Sequence, residues 1–158
     1  MNKDIIILTC SWMIALFSLL FLVPKRSRKY AHITFLFGQA IAWVFEYLQL
    51  VFGWIEFPFR EFKYATKMSF SLHYLFFPTI GVFFNLWYPV NTNLLFKFGY
   101  YLIFSIGIAT YILVLGITSD LYKILHWNWF LGVLSDFIVL FLIRRFTYWF
   151  RKGLKTPS

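Results

Sequence analysis

Five stretches of the chain are almost continuously apolar: residues 5–23, 31–53, 68–88, 98–117 and 128–146. Each is close to the roughly 20 residues that a helix needs to cross a bilayer core about 30 Å thick. Transmembrane strands would alternate lipid-facing and lumen-facing residues with period two, and IIIL, FSLLFLV and DFIVLFLI show no such alternation. The pattern predicts an all-α polytopic membrane protein, a bundle of five transmembrane helices forming one domain over residues 1–158. The breaks are short, so successive helices are expected to be antiparallel neighbours. Pro78, inside the third stretch, removes a backbone donor, frees the Tyr74 carbonyl and predicts a bend near His73. Helices in lipid associate through close packing of small residues. Gly99, Gly107 and Gly116 in the fourth helix and Gly132 and Ser135 in the fifth are therefore expected contact points.

Composition agrees with this pattern. Hydrophobic residues make up 61% of the chain, aromatic residues 25% and charged residues 13%, against roughly 25% charged in a soluble domain. The net charge of +9 could suggest nucleic acid, but the basic residues flank the apolar stretches instead of covering a soluble face. Lys25, Arg26, Arg28, Lys29 and Lys97, with Arg144, Arg145, Arg151, Lys152 and Lys155, put ten Lys/Arg on one side. Lys3, Arg60, Lys63, Lys67 and Lys123 put five on the other. The positive-inside rule then predicts a multi-pass cell-membrane protein with its N-terminus outside and its C-terminus cytoplasmic. The expected partners are the bilayer and anionic headgroups at the basic loops, not nucleic acid. The first stretch lacks a small-x-small cleavage site and is followed by PKRSRK, so it reads as a retained anchor. Cys10 is the single cysteine; it can form no intrachain disulfide and no paired metal or redox site.

Aromatic residues cluster at the ends of the stretches. Trp87, Tyr88, Trp127, Trp129, Tyr148 and Trp149 read as an interfacial belt. In the break IEFPFREFKYATK, Phe57, Phe59, Phe62 and Tyr64 read as anchors at the outer headgroup level.

The polar residues inside the stretches are more informative. A carboxylate at mid-membrane costs on the order of 2.5–3.5 kcal/mol, and each Leu, Ile, Phe or Val returns only about 0.3–0.6. Glu46 and Asp136 each offset several apolar neighbours, which implies a partner or a role. Counting helical rise inward from the outer boundary puts both at roughly 12 Å depth and His73 at roughly 8 Å. Gln39, Trp43, Glu46 and Gln49 recur on one helical face. The expectation is a buried polar cluster of Glu46, His73, Asp136, Gln39 and Gln49, acting either as interhelical glue or as a site for a proton, a cation or a small polar head. No HExxH, GxSxG, histidine pair at helical spacing or phosphate-cradling glycine loop occurs. His32 and His126 read as interfacial. No catalytic, metal or cofactor site is expected, and the chain does not read as an enzyme.

The stretches NLWYPVN (85–91), ITSDLYKILHWNWFLGVLSDFIVLFLIRRF (117–146) and GWIEFPF (53–59) resemble a family of small, functionally uncharacterised polytopic membrane proteins from endospore-forming bacteria. The resemblance implies a Tyr88–Pro89 turn leading into the fourth helix and an acidic-to-tryptophan stretch, Asp120 to Trp127 and Trp129, leading into the last. It supplies no catalytic or binding residues. The functional expectation is a non-enzymatic accessory or structural membrane subunit, which implies a membrane-protein partner or a second copy of the chain. The alternative is a small proton- or cation-linked transporter using the Glu46/His73/Asp136 cluster.

Overall fold

Polar side chains mark where the helices begin and end. A computed structural model describes residues 3–153. It is all-helical apart from one two-residue strand pair, with α1 (Lys3–Phe17), α2 (Arg28–Val51), α3 (Phe77–Leu86), α4 (Leu94–Thr118) and α5 (Trp129–Gly153). Asn93 caps α4, its side chain accepting from the Phe96 amide at 2.8 Å. Asn128 does the same for α5 through the Leu131 amide, also at 2.8 Å. These are ordinary N-terminal caps, in which a side-chain oxygen satisfies an orphan donor. At the end of α2, Gly53 adopts φ 67°, and the Trp54 and Gly53 amides return to the Gln49 and Leu50 carbonyls. This Schellman turn ends α2 and sends the chain into β1 (Ile55–Glu56).

Strand β1 pairs antiparallel with β2 (Lys123–Ile124), Ile55 facing Ile124 and Glu56 facing Lys123. The Trp54 carbonyl also accepts from the Leu125 and His126 amides, and the Asp120 carbonyl from the Phe59 amide. Asp4 on α1 accepts from the Asp120 amide. The N-terminal end of α1 and the loops after α2 and α4 therefore gather at one end of the bundle. At the opposite end, Arg144 of α5 reaches Tyr30 of α2 and lies over the ring of Tyr88.

α2 packs most extensively on α3, and α4 on α5. Where they meet, small residues allow close approach: a Cβ on Gly38 would lie 3.3 Å from the Pro78 Cα, one on Gly81 3.3 Å from Ile143, and one on Gly132 3.4 Å from Ala109. Gly132 is thus a helix contact as expected, Gly116 instead faces the Tyr122 carbonyl and Ile124 beyond the end of its own helix, and Gly99 and Gly107 face open space and are not contact points. The interfaces that matter most run through α3, where close approach follows from the proline and two glycines that were not singled out.

By length and composition, three helices can cross a membrane: Lys3–Leu22, Lys25–Val51 and Leu94–Thr118. The third apolar helix is shorter, Leu72–Leu86, because residues 87–88 lie in the turn before α4. α5 is long enough but carries Asp136, Arg144, Arg145, Arg151 and Lys152. Lys155 of the C-terminal basic cluster lies outside the described residues.

Gly38→Val should push α2 off Pro78 and cost about 1–3 kcal/mol of stability, while Gly107→Val should be close to neutral. Thermal unfolding of the purified variants in one detergent checks both.

Candidate functional site: an acid and imidazole cavity among four helices

The helical turn before Pro78 sets the geometry. Before α3 the helix widens into a π-turn, Leu72–Phe76, with the Phe77 amide donating to the Leu72 carbonyl. Such widened turns are common at functional sites. The Tyr74 carbonyl, whose usual partner would be the missing Pro78 N–H, accepts instead from the Gln39 side chain at 2.6 Å. The widened segment carries His73 inward to α2, and Glu61 holds its start by accepting from the Phe70 and Ser71 amides at 3.0 and 2.9 Å.

His73 and Glu46 are both buried, Glu46 being 2% exposed, and His73 Nε2 meets Glu46 Oε2 directly. His73 Nδ1 lies 2.9 Å from the Ser69 carbonyl oxygen, which can only accept, so Nδ1 carries a proton. Nε2 then either accepts from a protonated Glu46 or, as imidazolium, donates to its carboxylate. In both cases one proton is shared between the two side chains and the pair is neutral overall. The Ser69 backbone and Glu61 are further electrostatic neighbours of the carboxylate, but Glu46 Oε1 has no hydrogen-bond partner among the described residues.

Glu46, Gln49, His73 and Asp136 line one cavity of about 80 Å³ between α2, α4, α5 and the widened turn. Asp136 is half-buried, yet its Oδ2 is sealed from solvent and has no hydrogen-bond partner among the described residues. Tyr122, from the loop after α4, also lines the cavity. Burial, reinforced by Glu46 and Asp136, pushes its phenol well above the ordinary range, so it stays neutral. No lysine or arginine lines the cavity, and no three His, Cys, Asp or Glu side chains among the described residues converge as a metal-binding set.

Three sequence expectations are corrected here. Gln39 does not join the acids: it sits roughly 10 Å along the helix from Glu46 and is spent on the carbonyl that Pro78 leaves unpaired. Trp43, on the expected polar face, is 43% exposed and stacks on Tyr47. Phe57 is not an interfacial anchor but is fully buried, edge-on to both His73 and Tyr122 at 5.6 and 5.1 Å. It thus packs behind two residues of the cavity wall, beside the β1–β2 clasp. Tyr64, by contrast, is fully exposed.

A second polar group lies at the opposite end of α3 and was not anticipated. Asn85 accepts from both Arg144 and Thr147 at 3.2 Å. Arg144 also donates to the Tyr30 hydroxyl at 3.3 Å and lies 4.0 Å from the Tyr88 ring centroid. A lone amide in the apolar run GVFFNLW was the signal available.

Removing one partner of a buried ion pair costs more than replacing both. His73→Phe should therefore destabilise the protein by about 3 kcal/mol, and Glu46→Leu with His73→Phe by less than half of that. Reversible unfolding in mixed micelles measures both. The chain matches no protein-family model, no curated protein and no solved structure.

Proposed function

We propose that this chain is a five-span protein of the cell membrane, N-terminus outside and C-terminus cytoplasmic, that works as a small proton-linked carrier of cations. The observation that carries the reading is the cavity: Glu46, His73 and Asp136 converge around space for a few water molecules instead of a dry contact. An accessory or structural role, with a partner subunit or a second copy, calls only for dry interhelical contacts. A shared proton between an acid and an imidazole, beside a second acid with no base, is suited to loading and releasing protons. Ser135 lines the cavity too, but its hydroxyl is spent on the Gly132 carbonyl at 2.8 Å and His73 Nε2 is spent on Glu46. Neither forms a nucleophile–base pair, which supports a non-enzymatic reading.

Five spans are supported by how α3 is enclosed. Its residues 81–85 are all buried, so the helix is clad by its neighbours and needs less lipid-facing length than a peripheral span. In α5 the cost of Asp136 is met by placing it on the cavity. The orientation is supported by the gathering of the less basic loops at the β1–β2 end and of the arginine-rich segments at the other. Membership of the endospore-former family is part of the proposal and rests on the sequence motifs alone.

With Cys10→Ser as background, single cysteines at positions 24–27 and 89–93 should resist an impermeant thiol reagent added to intact cells, and cysteines at 62–67 should react. The reverse labelling pattern would invert the topology. In proteoliposomes with an internal pH dye, an imposed pH gradient should collapse at least tenfold faster with the wild type than with Glu46→Gln or Asp136→Asn. A wild-type rate equal to that of protein-free vesicles returns the chain to the accessory role.

A further inference from the structure

The geometry points to a small nitrogen-bearing cation with N–H donors, of the alkylammonium or guanidinium type, as the ligand of the Glu46/Asp136 cavity. This inference rests on the carrier reading and specifies its substrate class. Four features of the cavity select that chemistry. Its unpartnered buried atoms, Glu46 Oε1 and Asp136 Oδ2, are both carboxyl oxygens, which accept once the proton is off, so a ligand that takes the proton's place must donate hydrogen bonds. A buried acceptor left unpaired is costly, and a quaternary ammonium, which has no N–H, cannot relieve it.

Charge narrows the class further. The Glu46–His73 pair is neutral as a unit, and no lysine or arginine lines the cavity, so an ionised Asp136 leaves one negative charge uncompensated. One monovalent cation restores neutrality. When Asp136 is protonated, binding proceeds as exchange: the cation enters, the carboxyl O–H bond breaks heterolytically, the electron pair stays on Asp136 and the proton leaves to water. One proton is released per cation bound. The charged and titratable groups facing Glu46 are His73 from the widened turn, Glu61 from the loop before it and Tyr122 from the loop after α4; Asp136 of α5 also faces Tyr122.

Ligand set and size complete the argument. No three His, Cys, Asp or Glu side chains among the described residues form a metal-binding set, which disfavours a metal ion that needs such ligands. A nitrogen cation needs only two acceptors and aromatic faces. Phe45, Phe77, Trp127 and Trp129 line the cavity wall, and cations are attracted to ring faces within about 6 Å. About 80 Å³ has room for a small cation.

The test uses the full-length protein in detergent and follows tryptophan fluorescence, since Trp127 and Trp129 line the cavity. Methylammonium, guanidinium, sodium, potassium and tetraethylammonium chlorides are titrated at constant ionic strength, with a pH dye in weak buffer reporting proton release. Saturable binding of methylammonium or guanidinium at least tenfold tighter than sodium or potassium, with about one proton released, is the expected result. Asp136→Asn should abolish the proton release. If that variant fails to fold, the cation series on the unmodified protein still decides. Equal response to sodium or potassium, or to tetraethylammonium, overturns the ligand class. Absence of any cation response alongside gradient collapse that depends on Glu46 overturns the ligand class and leaves the carrier reading standing. Absence of both overturns the two together.

Discussion

A buried carboxylate must find its partner inside the protein, and the contact between Glu46 and His73 meets that demand for the most costly residue of α2. His73 can reach Glu46 because the helix leading into α3 widens at Leu72–Phe76, and it widens there because Pro78 cannot donate. The carbonyl left over is then taken by Gln39, and Gly38, one residue earlier, lets the Pro78 backbone come close. Gln39, Gly38, Glu46, His73 and Pro78 are thus one arrangement. Changing the proline would remove the reason for the widened turn, the use of Gln39 and the register of the ion pair at once.

Most of the fold was legible because it depends on long-range averages: five apolar stretches correspond to five helices, and where a bend was expected before Pro78 the helix widens into a π-turn. The helix ends differ from the apolar boundaries. α5 runs on through Arg144, Arg145 and Arg151 because a helix continues wherever its backbone bonds can form, while hydropathy records only where the side chains turn polar. Equal counts along antiparallel helices singled out Glu46, His73 and Asp136 in the sequence, and all three line one cavity. What a single-helix pattern cannot carry is which neighbour claims a side chain. Gln39 and Glu46 are nearly in line on α2, yet a carbonyl on another helix separates their roles. Phe57 looks interfacial by its charged neighbours and is drawn inward only because β1 is clasped to β2.

The Asn85 group shows the same limit from the other direction. Arg144 reads as a flanking charge when seen with Arg145, and only the packing of α2, α3 and α5 brings Asn85, Thr147, Tyr30 and Tyr88 around it. The Asn85 amide, the Tyr30 hydroxyl and the Tyr88 ring disperse the guanidinium charge without neutralising it. The arginine fork is suited to such shared, planar contacts.

Glu46 is neutralised by sharing a proton with its neighbour, while Arg144 is solvated by neutral groups near the basic end of the bundle. Asp136 has neither arrangement. It stands eight residues before Arg144 on α5, about 12 Å along the helix, and two unit charges at that separation attract by only about 1.4 kcal/mol at an effective dielectric of 20. Taking a carboxylate out of water costs several kcal/mol, so the distant guanidinium cannot hold Asp136 ionised through the apolar layer of Gly81, Leu140 and Ile143. Its charge has to be met at its own level, and the cavity wall carries no lysine or arginine there, which sets Asp136 apart from the self-contained Glu46–His73 pair.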